Sequence, residues 1–390
     1  MSDVFIVAAK RTALGAFNGV FSGLTAATLG ATAISAAVEK ANVPKDAIAE
    51  VLMGCVLPAG QGQAPARQAL RAAGLLDSTG AVTLNKVCGS GLKAVMMAKN
   101  AIASGDSDVI VAGGMECMSQ VPYYLPKARQ GYRMGHQQVV DGMIHDGLWD
   151  PYGNFHMGTA GEQCATHFSF TREAQDVFAT ESYTRARHAS DNGLFDAEIA
   201  PVLVPQRKGE PTPIAKDEQP FADDIAKLAT LRPAFDKTGT ITAGNASTIN
   251  DGAAALVVAS EQAVTEHGLK PLAKIVGQAT FSQAPEWFTT APVGAIEAVL
   301  KKTGLTISNI DVFEINEAFA VVTMAAMQEL NIPHTKVNIR GGAIALGHPI
   351  GASGARLLVT LIHTLQPGQK GLATLCIGGG EAVAMVIERL

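Results

Sequence analysis

Three short segments near the C-terminal end place reactive side chains beside glycine: Gly347-His348-Pro349, Gly351-Ala352-Ser353-Gly354 and Cys376-Ile377-Gly378-Gly379-Gly380. A second cysteine opens a similar turn far upstream, Val87-Cys88-Gly89-Ser90-Gly91. Two cysteines and a histidine in such settings match acyl transfer through a thioester. One thiolate attacks, a base prepares it, and a second proton carrier serves the other partner. The glycines let backbone N–H groups approach a substrate oxygen. Cys88 falls between an expected strand and an expected helix, where free N–H groups favour a thiolate. Gly347 and Pro349 would hold the imidazole of His348, a base suited to a thiol proton near pH 7. Cys376 closes an expected buried strand and could exchange a carbon-bound proton, since its usual pKa of about 8.5 can be moved toward neutrality. Asn316, in Asn316-Glu317-Ala318-Phe319, could cap a helix or orient a water, and the residues alone leave both open. A lone cysteine or histidine is more often a packed core residue; the glycine settings and the combination argue against that here.

The elements that must position these residues read as alternating strand and helix. Val4–Ala8, Ile48–Val56, Thr83–Val87 and Asp108–Ala112 have strand character, with helical spacing in Ala26–Ala41, Pro65–Ala73 and Ser90–Ser104. The N-terminal stretch from Met1 to Val7 belongs to the first strand in this reading. After Ala253–Ala259 a second series follows: strand Leu272–Val276, helix Gly294–Thr303, strand Asp311–Ile315, helix Glu317–Leu330, helix Gly354–Leu365, then strands Gly371–Cys376 and Ala382–Ile387. The class is α/β with a largely parallel sheet. The order around residue 88 (glycine-serine turn, apolar helix, polar turn, β-run, glycines) recurs around residue 351, an internal duplication of a whole βα unit. It implies two similar domains, 1–118 with 247–268 and 269–390, related by a pseudo-two-fold axis. A site at their junction would draw Cys88 from one and His348 with Cys376 from the other. Residues 119–246 read as a long excursion over that core, with a helix at Thr171–Ser190 capped by Thr171.

The chain has 390 residues, 47% of them hydrophobic, with 40 glycines and a net charge of −5. Such a composition suits a compact α/β enzyme and supplies no overall basic field for nucleic acid or an anionic membrane. Its five cysteines are odd in number and lack metal-ligand spacing, so reduced thiols, no metal and a cytoplasmic location are expected.

These segments together resemble the thiolase family, across essentially the whole chain. The Cys88 turn, Asn316-Glu317-Ala318-Phe319, Gly347-His348-Pro349 and Cys376-Ile377-Gly378 match its signature pieces in order and separation. Leu148, Phe155-His156-Met157-Gly158, Leu231-Arg232-Pro233-Ala234-Phe235 and Thr242-Ala243-Gly244-Asn245-Ala246-Ser247 are most similar to its short-chain, acetyl-CoA-using members. The resemblance implies a duplicated fold of two βαβαβαββ domains in five layers, with a loop domain, 119–246, inserted in the first half. It implies reversible Claisen condensation of two acetyl-CoA to acetoacetyl-CoA and CoA through acetyl-Cys88. The same resemblance makes His348 the activating base, Cys376 the carrier of the α-proton and Asn316 the holder of an oxyanion-hole water. The N–H groups of Cys88 and Gly378 would form a second hole. Leu148, His156, Met157, Phe235, Ala243, Ser247, Ala318 and Phe319 would line the pantetheine and acyl pocket, with Met157 narrowing it to a two-carbon group. Coenzyme A thioesters are then substrates, with no separate cofactor. The segment near Tyr123 to Gly142 would help assemble a homotetramer, a dimer of dimers. A degradative 3-ketoacyl-CoA or β-ketoadipyl-CoA thiolase of broader chain length is the alternative. Two features depart from the pattern. Gln219-Pro220 stands where relatives often place an arginine against adenine, leaving Lys216, Lys227 or Arg207 as substitutes. Glu286-Trp287-Phe288 is bulkier than expected, so either aromatic could face the channel.

Overall fold

The computed structural model describes residues 3–222 and 224–390; Met1 and Ser2 of the expected first strand lie outside them. The first half runs β1 (Val4–Thr12), α1 (Ala26–Ala41), β2 (Glu50–Gly54), α2 (Pro65–Ala72), β3 (Gly80–Leu84), α3 (Ser90–Ser104) and β4 (Val109–Cys117). An excursion carrying α4 (Met157–Phe168) and α5 (Arg172–Asp191) follows, and β5 (Asn250–Ser260) returns to the core. The second half runs β6 (Ala273–Ser282), α6 (Ala291–Thr303), β7 (Val312–Ile315), α7 (Ala320–Leu330), α8 (Ile350–Thr364), β8 (Lys370–Ile377) and β9 (Glu381–Arg389).

These nine strands form one continuous sheet in the order β7-β8-β9-β6-β1-β5-β4-β2-β3. The sheet is mixed, and not largely parallel as expected, because in each half the last two strands enter antiparallel. Its two halves follow one plan. In the first, β3, β2 and β4 are parallel, and β5 and β1 follow antiparallel. In the second, β7 and β8 are parallel, and β9 and β6 follow antiparallel. The counterpart of β3 is reduced to a single parallel bridge from Phe313 to Val337. The halves meet where β1 and β6 pair antiparallel at Phe5–Lys274 and Ile6–Ala273.

Three apolar clusters separate five layers. Leu29, Ile34 and Val38 of α1 pack on one face of the first sheet half. Leu92 and Val95 of α3, with Leu357 and Leu358 of α8, fill the space between the halves. Ile296 and Val299 of α6 cover the outer face of the second. Each fully buried Leu, Ile or Val contributes about 1.5–3 kcal/mol. Helices on both faces explain why β4 and β5 are buried along their whole length rather than alternating. Helix α8 lies in the central layer, with nearly every residue buried, as an all-round apolar sequence requires. It touches α3 backbone to backbone. A Cβ added to Gly91 would lie 2.8 Å from the Ala355 nitrogen, and one on Gly354 2.5 Å from that of Leu92.

Several boundaries differ from expectation, for physical reasons. Strand β3 stops at Leu84 rather than Val87, because Asn85 to Val87 fold into a side-chain-bonded turn. Strand β4 continues past Ala112 to Cys117. Its glycines do not end the strand: a Cβ on Gly114 would lie 2.0 Å from the Gly351 carbonyl, so that glycine admits α8, and one on Gly113 would lie 2.0 Å from the Ala254 carbonyl of β5. Helix α8 begins at Ile350, four residues before the expected start, and α7 at Ala320 rather than Glu317. Thr171 caps α5, accepting from the Ala174 N–H at 3.2 Å.

The excursion is tied to the core by a buried ion cluster. Arg11 at the end of β1 donates to Glu198 at 2.6 Å and to both oxygens of Asp217 at 2.7 and 2.9 Å. All three side chains are fully buried. Removing the guanidinium leaves two buried carboxylates uncompensated. Arg11→Leu should therefore destabilise the protein by about 3–5 kcal/mol. An unchanged urea midpoint would show that the cluster contributes nothing to stability.

Candidate active site

Cys88 sits on a turn held by side chains. Asn85 Oδ1 accepts from the Val87 N–H at 2.8 Å. Ser90 Oγ accepts from the Lys86 N–H at 2.8 Å and donates to the Val87 carbonyl at 2.7 Å. These bonds hold Val87 at φ +45°, a left-handed conformation that costs a β-branched residue about 1–3 kcal/mol. Cys88 then immediately precedes Gly89, the N-cap of α3. The Gly378 N–H is directed at its thiol.

His348 is fixed on both sides. Its N–H donates to Asn250 Oδ1 at 3.0 Å, and Asn250 also bonds the Gly15 carbonyl. Gly347, at φ +107°, lies where a Cβ would come within 2.3 Å of the Asn250 side chain. His348 Nδ1 is 2.6 Å from Ser353 Oγ, which donates to the Pro349 carbonyl at 2.9 Å. The single hydroxyl proton is thus used, so the network assigns the imidazole proton to Nδ1 and leaves Nε2 with its lone pair. Asn316 Nδ2 is 3.5 Å from that Nε2. Asn316 does not cap α7, whose N-cap is Phe319, and its buried Oδ1 has no hydrogen-bond partner among the described residues. The cap reading is therefore lost, and Asn316 lies against His348 without itself being among the residues that line the cavity.

Cys376 is the penultimate residue of β8 and is fully buried. Cys88, His348, Cys376 and Gly378 line one cavity of about 240 Å³. The two halves of the chain contribute to it as the duplication implied.

Burial dominates the electrostatics. It pushes Cys88 up to about 11, against the pull of the Gly378 and Cys88 N–H groups. It also holds Cys376 well above the ordinary thiol range, with repulsion from Cys88 adding to it. Desolvation, then the charge of Arg356, lowers His348 to about 3. The helix N-terminus thus does not outweigh burial at Cys88, and Cys376 is moved away from neutrality rather than toward it; burial favours the thiol form of both sulfurs and the neutral imidazole.

Of the expected pocket residues, Leu148, His156, Met157, Phe235, Ser247, Ala318 and Phe319 line this cavity. His156 stacks on Phe235 at 4.7 Å, and Phe235 meets Phe319 edge-on at 6.0 Å, giving an aromatic wall. Ala243 is exposed on the preceding turn and is not among the lining residues. Phe288 is buried in the cavity wall, whereas Trp287 faces a separate groove against His167 at 5.1 Å. The kink at Trp287 sends the two neighbours to opposite sides. Gln219 and Pro220 are buried, Gln219 lying 3.5 Å from Asn250, so this dipeptide faces inward rather than toward a ligand. Lys216 pairs with Asp191 at 3.0 Å, Lys227 with Asp224 at 3.3 Å, and Arg207 is exposed; none lines the cavity.

Two supporting residues escape a reading by motif, Asn250 and Glu116, and Ser353, whose turn the sequence does single out, takes a role that the motif does not show, as the partner of His348 Nδ1. The buried Glu116 carboxylate accepts from the N–H groups of Val56 (2.9 Å), Leu57 (3.1 Å) and Gly351 (2.9 Å). It joins the loop after β2 to the start of α8. A charged residue inside the apolar run of β4 is the signal that could have found it.

Two sulfurs and a histidine around a cavity walled by aromatics define an enzyme site built for thioester acyl transfer. Family models agree: one described as the thiolase N-terminal domain matches residues 4–262, and one described as the thiolase C-terminal domain matches 269–389. The chain belongs to the thiolase family. It is 51% identical, over the full length of both, to an acetyl-CoA acetyltransferase of Cupriavidus necator. It is 52% identical to one of Chromobacterium violaceum, covering 99% of this chain and all of that one. The crystal structure of the Acat5 thiolase from Ascaris suum in complex with coenzyme A superposes with a TM-score of 0.96 at 43% identity, covering both chains fully.

The resting protonation states are testable. With the thiol near 11, the thiolate fraction of Cys88 grows as pH rises, so its alkylation by iodoacetamide should keep accelerating from pH 7 to pH 10. A rate already flat from pH 6 to pH 9, followed by mass spectrometry of the Cys88 peptide, would indicate a resting thiolate–imidazolium pair instead.

Proposed function

We propose that this chain is an acetyl-CoA acetyltransferase that condenses two acetyl-CoA reversibly into acetoacetyl-CoA and CoA. The convergence of Cys88, His348 and Cys376 on one cavity carries the reading. His348 Nε2, unprotonated and met only by the long contact from Asn316 Nδ2, takes the Cys88 proton as the sulfur attacks the thioester carbonyl. The oxyanion that forms is met by the N–H groups of Cys88 and Gly378, each preorganised donor being worth about 3–4 kcal/mol in the transition state. Collapse expels the CoA thiolate, which Cys376 protonates from its resting thiol. That leaves Cys376 as a thiolate which burial makes strongly basic. It removes the α-proton of the second acetyl-CoA, whose thioester oxygen is stabilised by His348 and a water held by Asn316. The carbanion attacks acetyl-Cys88, the C–S bond breaks, and the departing Cys88 sulfur recovers its proton from His348. Every proton is returned, and both thiols end as they began.

The bulk of Met157 and Phe288 supports a two-carbon acyl group. Met157 lies over the oxyanion glycine: a Cβ on Gly378 would stand 3.4 Å from its sulfur. The reading extends to a homotetramer, supported by exposed apolar side chains in the early excursion, Tyr123, Leu125, Met134 and Val139. It extends also to a cytoplasmic location and a role in fatty acid metabolism. No helix among the described residues is long and apolar enough to cross a membrane.

Incubation with acetyl-CoA should add one acetyl group to the Cys88 peptide. Cys376→Ser should slow condensation far more than this acetylation, and equal losses in both half-reactions would contradict the division of roles. A separate comparison fixes the substrate: kcat/KM for acetoacetyl-CoA should exceed that for a ten-carbon 3-ketoacyl-CoA by about 100-fold or more. Comparable values would favour the degradative thiolase of broader range.

A further inference from the structure

The two backbone donors assigned above to the oxyanion hole belong to different halves of the chain. Cys88 lies on the turn between β3 and α3, and Gly378 opens the loop between β8 and β9. No covalent feature sets their separation. Gly379 and Gly380 both have left-handed φ, +91° and +85°. Gly380 is held within the second half, its carbonyl accepting from the Gln283 N–H at 2.8 Å. That bond does not cross the seam, so the alignment of the loop with the Cys88 turn depends on contacts at its two ends.

At one end Ile377 packs on the Cys88 turn, so closely that a Cβ on Gly89 would fall 2.3 Å from Ile377 Cδ1. At the other end stands Glu381, paired across the hairpin with Ile377. Its carboxylate spans the seam to the ammonium of Lys86, two residues before Cys88. The second Glu381 oxygen accepts from Ser282 Oγ of β6 at 3.1 Å. Lys86 is equally anchored, its N–H bonded to Ser90 Oγ at 2.8 Å. Both ends of the pair are therefore fixed to the elements that carry the two donors. Neither side chain is among those lining the cavity.

We propose that the Lys86–Glu381 ion pair is a positioning latch that sets the spacing of the Cys88 and Gly378 donors across the seam. The inference rests on the acetyl-transfer reading of the site. An ion pair at a partly exposed position contributes little to global stability. Reaction geometry is far less tolerant, since a displacement of about 1 Å can cost two orders of magnitude in rate. Stability and rate therefore separate the latch from an ordinary surface pair.

The test compares wild type with Lys86→Met, Glu381→Gln and the charge-exchanged double variant, Lys86→Glu with Glu381→Lys. Each is followed by single-turnover acetylation of Cys88, steady-state kcat and KM, and thermal midpoint. Either single change should slow acetylation about tenfold, with KM and the midpoint nearly unchanged, and the exchanged pair should recover most of the rate. Potassium chloride should slow the wild type but not the single variants, because only the former has a pair to screen. Single variants as fast as wild type would overturn the latch. A double variant no faster than the singles, or a loss that merely follows a lowered midpoint, would also overturn it. Failure of the wild type to acetylate Cys88 would refute the acetyl-transfer reading before any variant is compared, and the latch with it.

Discussion

Everything at the site depends on the close crossing of α3 and α8. The two helices meet at Gly91 and Gly354 with no side chain between their backbones. Cys88 lies three residues before Gly91, and His348 six before Gly354, so this crossing brings both reactive groups to one end of the central layer. Glu116 binds the Gly351 N–H and the loop after β2 together, so the start of α8 cannot shift independently of the first half of the sheet. Larger side chains at the crossing would separate the halves and open the cavity, because interiors packed to crystal density have no slack to absorb them.

The same burial that aligns these groups governs their protons. A thiol in an apolar layer resists ionisation, and a buried imidazole, with the charge of Arg356 adding to its desolvation, resists protonation. The resting site is accordingly neutral, and charge appears in it only as a substrate reacts. Donors already in place at the positions where that charge develops then act with little reorganisation. Ser353 contributes by accepting from Nδ1 rather than by supplying a charge, which leaves His348 a weak base that returns its proton readily.

Local signals in this chain carry further than those that depend on packing. Helix α1 was legible from its apolar spacing, and the Thr171 cap from local residue chemistry. The length of β4 was not, because Gly113 and Gly114 here admit close neighbours, strand β5 and helix α8, rather than ending the strand. Asn316 looked equally suited to a cap or a site. Only the arrival of His348 Nε2 from another segment distinguished the two. Phe288 and Trp287 are adjacent in sequence and similar in type, yet a single backbone kink sends one into the cavity and the other away from it.

By itself the sequence determined the reactive side chains, the glycine turns that expose them, and the duplication that requires two halves to meet. These are matters of residue type and of short-range spacing, which a linear chain displays directly. Tertiary structure alone decided the protonation states, the imidazole tautomer, the inward turn of Gln219 and the partners Glu116, Asn250 and Ser353. Each of these depends on desolvation or on a contact between residues distant in the chain or held by folded geometry, and such quantities do not exist until the layers have packed.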